Sequence, residues 1–225
     1  MKSSLLRKFI MGATGLFLIS FITVHLLVNS FSLGWFWDGR ELFNLGSHFM
    51  ATNPLIQVTQ YVLAAGFLIH IIWGVALTIQ NKKARAVNYA KNKPAANSGF
   101  SSRSMIQTGM LVLVFLILHM KDFFIPVKFG DIAHYEIESH GVTKLVQDDY
   151  SIMMDLFSQP LYVGIYVLAF IMLGIHLSHG FQSAFQSLGA NNARWTPILK
   201  KISLVFCIVI AAGFSAIALT HFINS

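Results

Sequence analysis

Five apolar stretches, each long enough to cross a bilayer, constrain this chain more than any other feature. They run over residues 9–33, 55–80, 104–125, 160–185 and 202–222. At about 1.5 Å of helical rise per residue, each crosses a hydrocarbon core of about 30 Å. Lipid offers no partner to a backbone amide, so a crossing segment closes its hydrogen bonds internally and all five are expected as helices. Only 11% of the residues are charged, against about 25% in soluble domains, which leaves too few to coat a water-facing surface. The expected fold is an all-α membrane protein, a single transmembrane domain over residues 1–225. The start of the chain (Lys2, Arg7, Lys8, then apolar from Phe9) imitates a secretion signal, but its apolar run is too long and no A-x-A site follows, so a retained first span is expected.

Charge sets the orientation. With the N-terminus in the cytoplasm and the C-terminus outside, twelve of the sixteen Lys and Arg fall on the inner side; Arg40, Lys121, Lys128 and Lys144 fall outside. This satisfies the positive-inside rule. All nine acidic residues fall outside as well. The net charge of +7 therefore reads as a topology signal rather than a nucleic-acid surface. The lone cysteine, Cys207, lies within the fifth span and permits no disulfide within the chain. Pro54, Pro160 and Pro197 precede helix starts, where a missing N–H costs nothing.

The connectors differ. The outer segment 34–54 is aromatic, and the outer segment 126–159 is long and acidic, with Tyr135, His140 and Asp148-Asp149. Connections of this length usually carry a task. The inner segment 81–103 is basic, suited to a soluble partner or to lipid headgroups.

Five of the nine histidines (His25, His70, His119, His176, His179) lie within spans. A lone intramembrane imidazole often does no more than bond a neighbouring helix. One in each of four consecutive spans needs another reason. Depth supplies it. His25 and His119, on outward-running helices, lie about 24 and 21 Å from the inner face; His70 and His176, on inward-running helices, lie about 22 Å from the outer face. The four form two levels about 14 Å apart, two histidines to a level. That is the requirement of two stacked haems, each with one imidazole on either side of its iron. Gly74 and Gly180, one turn past His70 and His176 on the same faces, leave room for a flat ring. His179, three residues from His176, is a second candidate ligand on the fourth span. No acidic residue lies in a span core, so a carboxylate relay through mid-membrane is not expected.

The stretches FITVHLLVNS, GFLIHIIWGVALTIQNKKAR, LVLVFLILHMKDFF and GIHLSHGFQSAFQSLG, around His25, His70, His119 and His176, resemble the cytochrome b subunit of succinate:quinone oxidoreductase (respiratory complex II and fumarate reductases) in its single-subunit, dihaem, five-helix form. The resemblance covers nearly the whole chain. It implies a haem-binding four-helix core plus a fifth helix in a bacterial cytoplasmic membrane, with two haem b: an inner one on His70 and His176, an outer one on His25 and His119. It also implies flavoprotein and iron–sulfur subunits on the cytoplasmic side, a membrane quinone (menaquinone in the dihaem branch) and room for a higher oligomer of the complex. Some fumarate-reducing relatives carry a glutamate two residues before the fourth-span ligand; here that residue is Gly174, which favours succinate oxidation. Candidates for handling quinone or its protons near the outer face are His48, Glu41, Arg40 and Asp122. The competing readings are the dihaem subunit of another respiratory dehydrogenase and a haem-free, histidine-lined channel or transporter.

Overall fold

A computed structural model describes residues 4–35, 38–84, 104–139, 142–190 and 192–225. Residues 85–103 of the basic segment 81–103, expected to dock a soluble partner or anchor to lipid headgroups, and His140 lie outside the described residues.

The described chain is built from helices α1 (Ser4–Ser30), α2 (Gly39–Thr52), α3 (Pro54–Ala84), α4 (Met105–His119), α5 (Ile125–Phe129), α6 (Asp149–Phe157), α7 (Pro160–Ser187) and α8 (Trp195–Asn224), with strands β1 (His134–Ser139) and β2 (Val142–Gln147) between α5 and α6. Five stretches are long and apolar enough to span a membrane: Leu6–Leu33, Pro54–Asn81, Met105–Phe129, Pro160–Ser187 and Trp195–Asn224. The protein is an all-α membrane protein, as its apolar runs require. The third and fifth spans are longer than hydropathy alone suggests. Pro197 lies within the first turn of α8 rather than before it, because helix starts accept proline there. The third span continues past His119 through a π-helical turn, Met120–Phe124, into α5.

Polar side chains set the helix boundaries. Asp38 accepts from the Glu41 amide (2.9 Å) to open α2. Asn53 accepts from the Leu55 amide (3.0 Å) at the head of α3, and Asn192 from the Trp195 amide (2.8 Å) at the head of α8. Gly34, at φ 68°, ends the first span in the left-handed conformation that glycine adopts without strain.

The two outer connectors are structured, and they lock together as one cap. Apolar periodicity could not announce this, because the cap is held by polar bonds. Arg40 on α2 grips Asp148 through both Nε (3.2 Å) and Nη2. Asn44, fully buried, donates to Asp148 Oδ1 (2.8 Å) and accepts from the Tyr150 amide (2.9 Å). Ser47 donates to Asp149. The Arg40 guanidinium lies 4.5 Å from the Tyr135 ring on β1, which pairs antiparallel with β2. Beneath the cap, Phe43, Met153 and Phe157 join the apolar core formed by α7 and α8.

The fourth and fifth spans make the most extensive helix contact, and the first span packs against the second, fourth and fifth. The second and third spans touch only marginally. The fifth span therefore belongs to the core, with Cys207, Ile210, Phe214 and Ala218 buried. His221, near its outer end, is the bland case among the histidines. Its Nε2 lies 2.9 Å from Ser32 Oγ, whose own proton goes to the Asn29 carbonyl (2.7 Å), so the imidazole donates and ties the last span to the end of the first.

Candidate functional site

The span histidines fall into two groups. His25 and His119 meet at the outer level with ring centroids 5.7 Å apart and planes 71° apart. With metal–imidazole bonds of about 2 Å, two rings on opposite sides of one ion have centroids about 6 Å apart. The spacing of this pair therefore suits a shared iron. Phe21 stacks on His25 (5.3 Å), Phe214 lies 5.7 Å from it, and Phe115 and Phe123 lie 5.9 and 5.3 Å from His119. Aromatic faces of this kind suit a flat, apolar macrocycle. Asn29, one turn past His25, donates to the His25 carbonyl (2.8 Å), and its Nδ2 lies 3.4 Å from His25 Nδ1, at the limit of a hydrogen bond.

At the inner level His70 lies against the first span, where a Cβ on Gly15 would stand 3.7 Å from its Cε1. The protonation of His70 follows from its partner. Thr14 Oγ1 sits 3.2 Å from His70 Nδ1 and spends its single proton on the Ile10 carbonyl (2.8 Å). Towards the imidazole it can only accept, so Nδ1 carries the hydrogen and the lone pair is on Nε2. That is the tautomer a metal-binding histidine adopts when its outer nitrogen is held by an acceptor. His176 packs against the third span: a Cβ on Gly109 would stand 3.2 Å from its Cε1. Its Nδ1 is buried and has no well-formed hydrogen bond among the described residues; the polar group it feels is the Met105 backbone. A buried imidazole nitrogen without a firm partner is costly unless the ring has another engagement. It is His176 that lies against Gly109 of the third span; His179 follows three residues later on the same helix.

The glycines divide by role. A Cβ on Gly74 or Gly180 would meet only the flexible tips of Met11 and Met105, each at 3.8 Å, so both faces are walled by movable side chains. Gly174, by contrast, is a packing glycine. A Cβ there would press on Ala211 Cβ (3.1 Å) and the Cys207 carbonyl (3.4 Å) of the fifth span.

Of the outer candidates, Asp122 lies nearest the outer pair, one turn past His119. The π-helical turn around it carries one extra residue per turn, a feature common at functional sites. The carboxylate is 4% exposed, accepts from the buried Tyr166 hydroxyl (2.9 Å), and takes a bond from the exposed Lys121 (3.2 Å). Asp122 lies within the third span, three residues past His119 and seven before the span's end at Phe129. His48 lines an open cavity of about 390 Å³ with Thr52, Lys128, His134 and Asp149. Burial pushes Asp149 above the usual carboxylate range, opposed by the bond from Ser47; burial, then Lys144, holds His48 below the usual imidazole range. Arg40 is committed to Asp148. Burial of that carboxyl is outweighed by the hydrogen bonds from Arg40 and Asn44, which hold it below its usual range. Glu41 sits in the first turn of α2.

Sequence reasoning did not find Thr14, Gly109 or Tyr166. Each acts by lying opposite a histidine or an acid on another helix, and no spacing within one helix encodes that.

No family model and no solved structure matches the chain. It is similar to the succinate dehydrogenase cytochrome b558 subunit of Bacillus subtilis (strain 168), at 23% identity over 206 residues, covering 91% of this chain and 86% of that one. This agrees with the resemblance read from the histidine motifs.

Proposed function

We propose that this chain, similar over nearly its whole length to a succinate dehydrogenase cytochrome subunit, is the haem-bearing membrane subunit of such an enzyme in a bacterial cytoplasmic membrane. The observation that carries the reading is the meeting of His25 and His119, from two different spans, with ring centroids 5.7 Å apart. His70 and His176 would hold an inner haem b, and His25 and His119 an outer one. The residues fit the group: His25 and His119 at suitable spacing between aromatic walls, an Nε2 lone pair on His70 and a buried His176 nitrogen. Haem supplies one-electron carriage and no more; the succinate chemistry belongs to a partner flavoprotein, with an iron–sulfur protein between them on the cytoplasmic side.

This chain's residues do the rest. The two pairs define a route from the inner level to the outer, where a quinone, menaquinone in this reading, accepts two electrons and two protons. Electron movement outward is favoured by the membrane potential, by about 2.3 kcal/mol per charge per 100 mV. Thr14 fixes the ring plane and basicity of His70. Asp122, bonded to Tyr166 and reachable from the surface through Lys121, is placed to pass protons to the outer level; His48, beside Asp149, is a second such group. Arg40, bonded to Asp148 in the cap, and Glu41, in the first turn of α2, are further candidates for handling quinone or its protons. The inside placement of the N-terminus follows from the charge asymmetry.

Purification from membranes in mild detergent, with the bound subunits identified, tests the assignment. A co-purifying flavoprotein and iron–sulfur protein that together reduce a quinone with succinate is the expected result. A formate- or hydrogen-oxidising partner would move the chain to another respiratory dehydrogenase, and a haem-free protein would make it a channel or transporter.

A further inference from the structure

Directly after His119 the third span leaves the α-helical pattern. The Ile125 amide donates to the Met120 carbonyl five residues back, the bond of a π-helical turn. Such turns are rare and enter α-helices mostly as single insertions. Here the turn is tied to the fourth span. Asp122, inside it, accepts from the Tyr166 hydroxyl (2.9 Å), and the carboxylate is 4% exposed, so water does not compete for the bond. The exposed Lys121 bonds the other carboxylate oxygen (3.2 Å).

Tyr166 does more than close this bond. Its buried ring meets Phe115 edge-on (5.0 Å between centroids, planes 85° apart) and Phe123 likewise (6.0 Å, 80°). Those two residues stand four before and four after His119, and their rings lie 5.9 and 5.3 Å from its imidazole. Phe157 and Phe170 add contacts to Tyr166 at 5.3 and 6.0 Å. A turn of the His119 ring presses on Phe115 or Phe123, and both rest on Tyr166.

The planes of His25 and His119 stand 71° apart. Two unhindered imidazoles on one ferric haem settle with their planes near parallel, so a twist of this size has to be held by the protein around them. A side chain that is locked by packing and by a hydrogen bond is what holds a ligand ring in one plane. We infer that Tyr166 is the positioning residue that does so at the outer level: bonded to Asp122 in the π-helical turn and packed against Phe115 and Phe123, it fixes the ring plane of His119. The inference rests on the dihaem reading above. It is separable from proton passage through Asp122, because an amide at that position keeps the bond from Tyr166 and carries no acidic proton.

The test is low-temperature electron paramagnetic resonance of the oxidised, purified complex, after haem b has been counted in the unaltered complex. In a low-spin ferric haem the largest g value falls as the two imidazole planes turn towards parallel. Tyr166→Phe keeps the ring and removes the hydroxyl. One haem signal should move to a lower largest g value and broaden, while the other stays where it was. Asp122→Leu, which leaves the Tyr166 hydroxyl without its acceptor, should give the same shift; Asp122→Asn should keep the parent signal. If the leucine variant does not accumulate, Tyr166→Phe and Asp122→Asn decide between them. Unmoved signals in Tyr166→Phe, whether or not the complex melts earlier, make Tyr166 a packing residue and overturn the inference. Equal movement of both signals overturns it too, as does an asparagine variant that shifts as far as Tyr166→Phe, which would assign the effect to charge. Fewer than two haems in the unaltered complex strikes the dihaem reading itself, before any variant is measured.

Discussion

Replacing Thr14 with valine removes one hydroxyl and leaves the shape of the side chain almost unchanged. In the native protein that hydroxyl accepts from His70 Nδ1 at 3.2 Å while donating to Ile10 at 2.8 Å. Valine keeps the packing and strands the imidazole N–H in a partly buried site. A lost hydrogen bond of this kind costs about 1–3 kcal/mol, and loss of an outer hydrogen bond to a metal-binding histidine typically weakens metal affinity by about 10–100-fold. The sign at the inner haem follows from basicity. An imidazole that no longer donates from Nδ1 is a poorer electron donor through Nε2, and the oxidised iron loses more from this than the reduced iron. The inner midpoint should therefore rise, by about 59 mV if the oxidised form alone loses a factor of ten. The assay is an optical redox titration of the purified complex, with Thr14→Ser as the control that keeps the acceptor. An unchanged inner haem in the valine variant, or equal movement of both haems, would refute the assignment of Thr14 to the inner level.

Two further expectations concern the scaffold. Gly174→Glu should lower the thermal stability of the detergent-solubilised complex, because Cβ alone presses on Ala211 and Cys207, and overpacking typically costs about 1–3 kcal/mol before any carboxylate is buried; a variant as stable as the parent would show that the fourth and fifth spans are less tightly joined. Asp148→Asn should loosen the outer cap, read as faster hydrogen exchange over residues 39–52 and 149–157. Since the folded state holds Asp148 below its usual value near 3.8, the stability it contributes is present above that pH and is lost as pH falls through the lower folded value. The parent cap should therefore open only in strong acid, and exchange that is identical in the variant at neutral pH would refute this role.

The spans, the helical class and the meeting of His25 with His119 were legible in the sequence because lipid enforces them. An apolar run has one use in a bilayer, and a helix converts residue count directly into depth. The outer cap was not legible. Its helices and hairpin are short and held by long-range bonds such as Arg40 to Asp148, 108 residues apart, which no local pattern signals. The π-helical turn after His119 was hidden for a related reason: it shifts the facing of Asp122 without altering composition. Gly174 shows a third kind of gap. The sequence displayed only the missing glutamate; the structure adds that the position is packed against the fifth span, so the absence of a long side chain there has a steric reason as well as a chemical one.

The central claim is that four histidines on four spans make two metal-bearing pairs. It is tested most directly by a pyridine haemochrome measurement on the purified protein, referred to its polypeptide concentration. The account requires two haem b per chain; a value of one, or none, would contradict it.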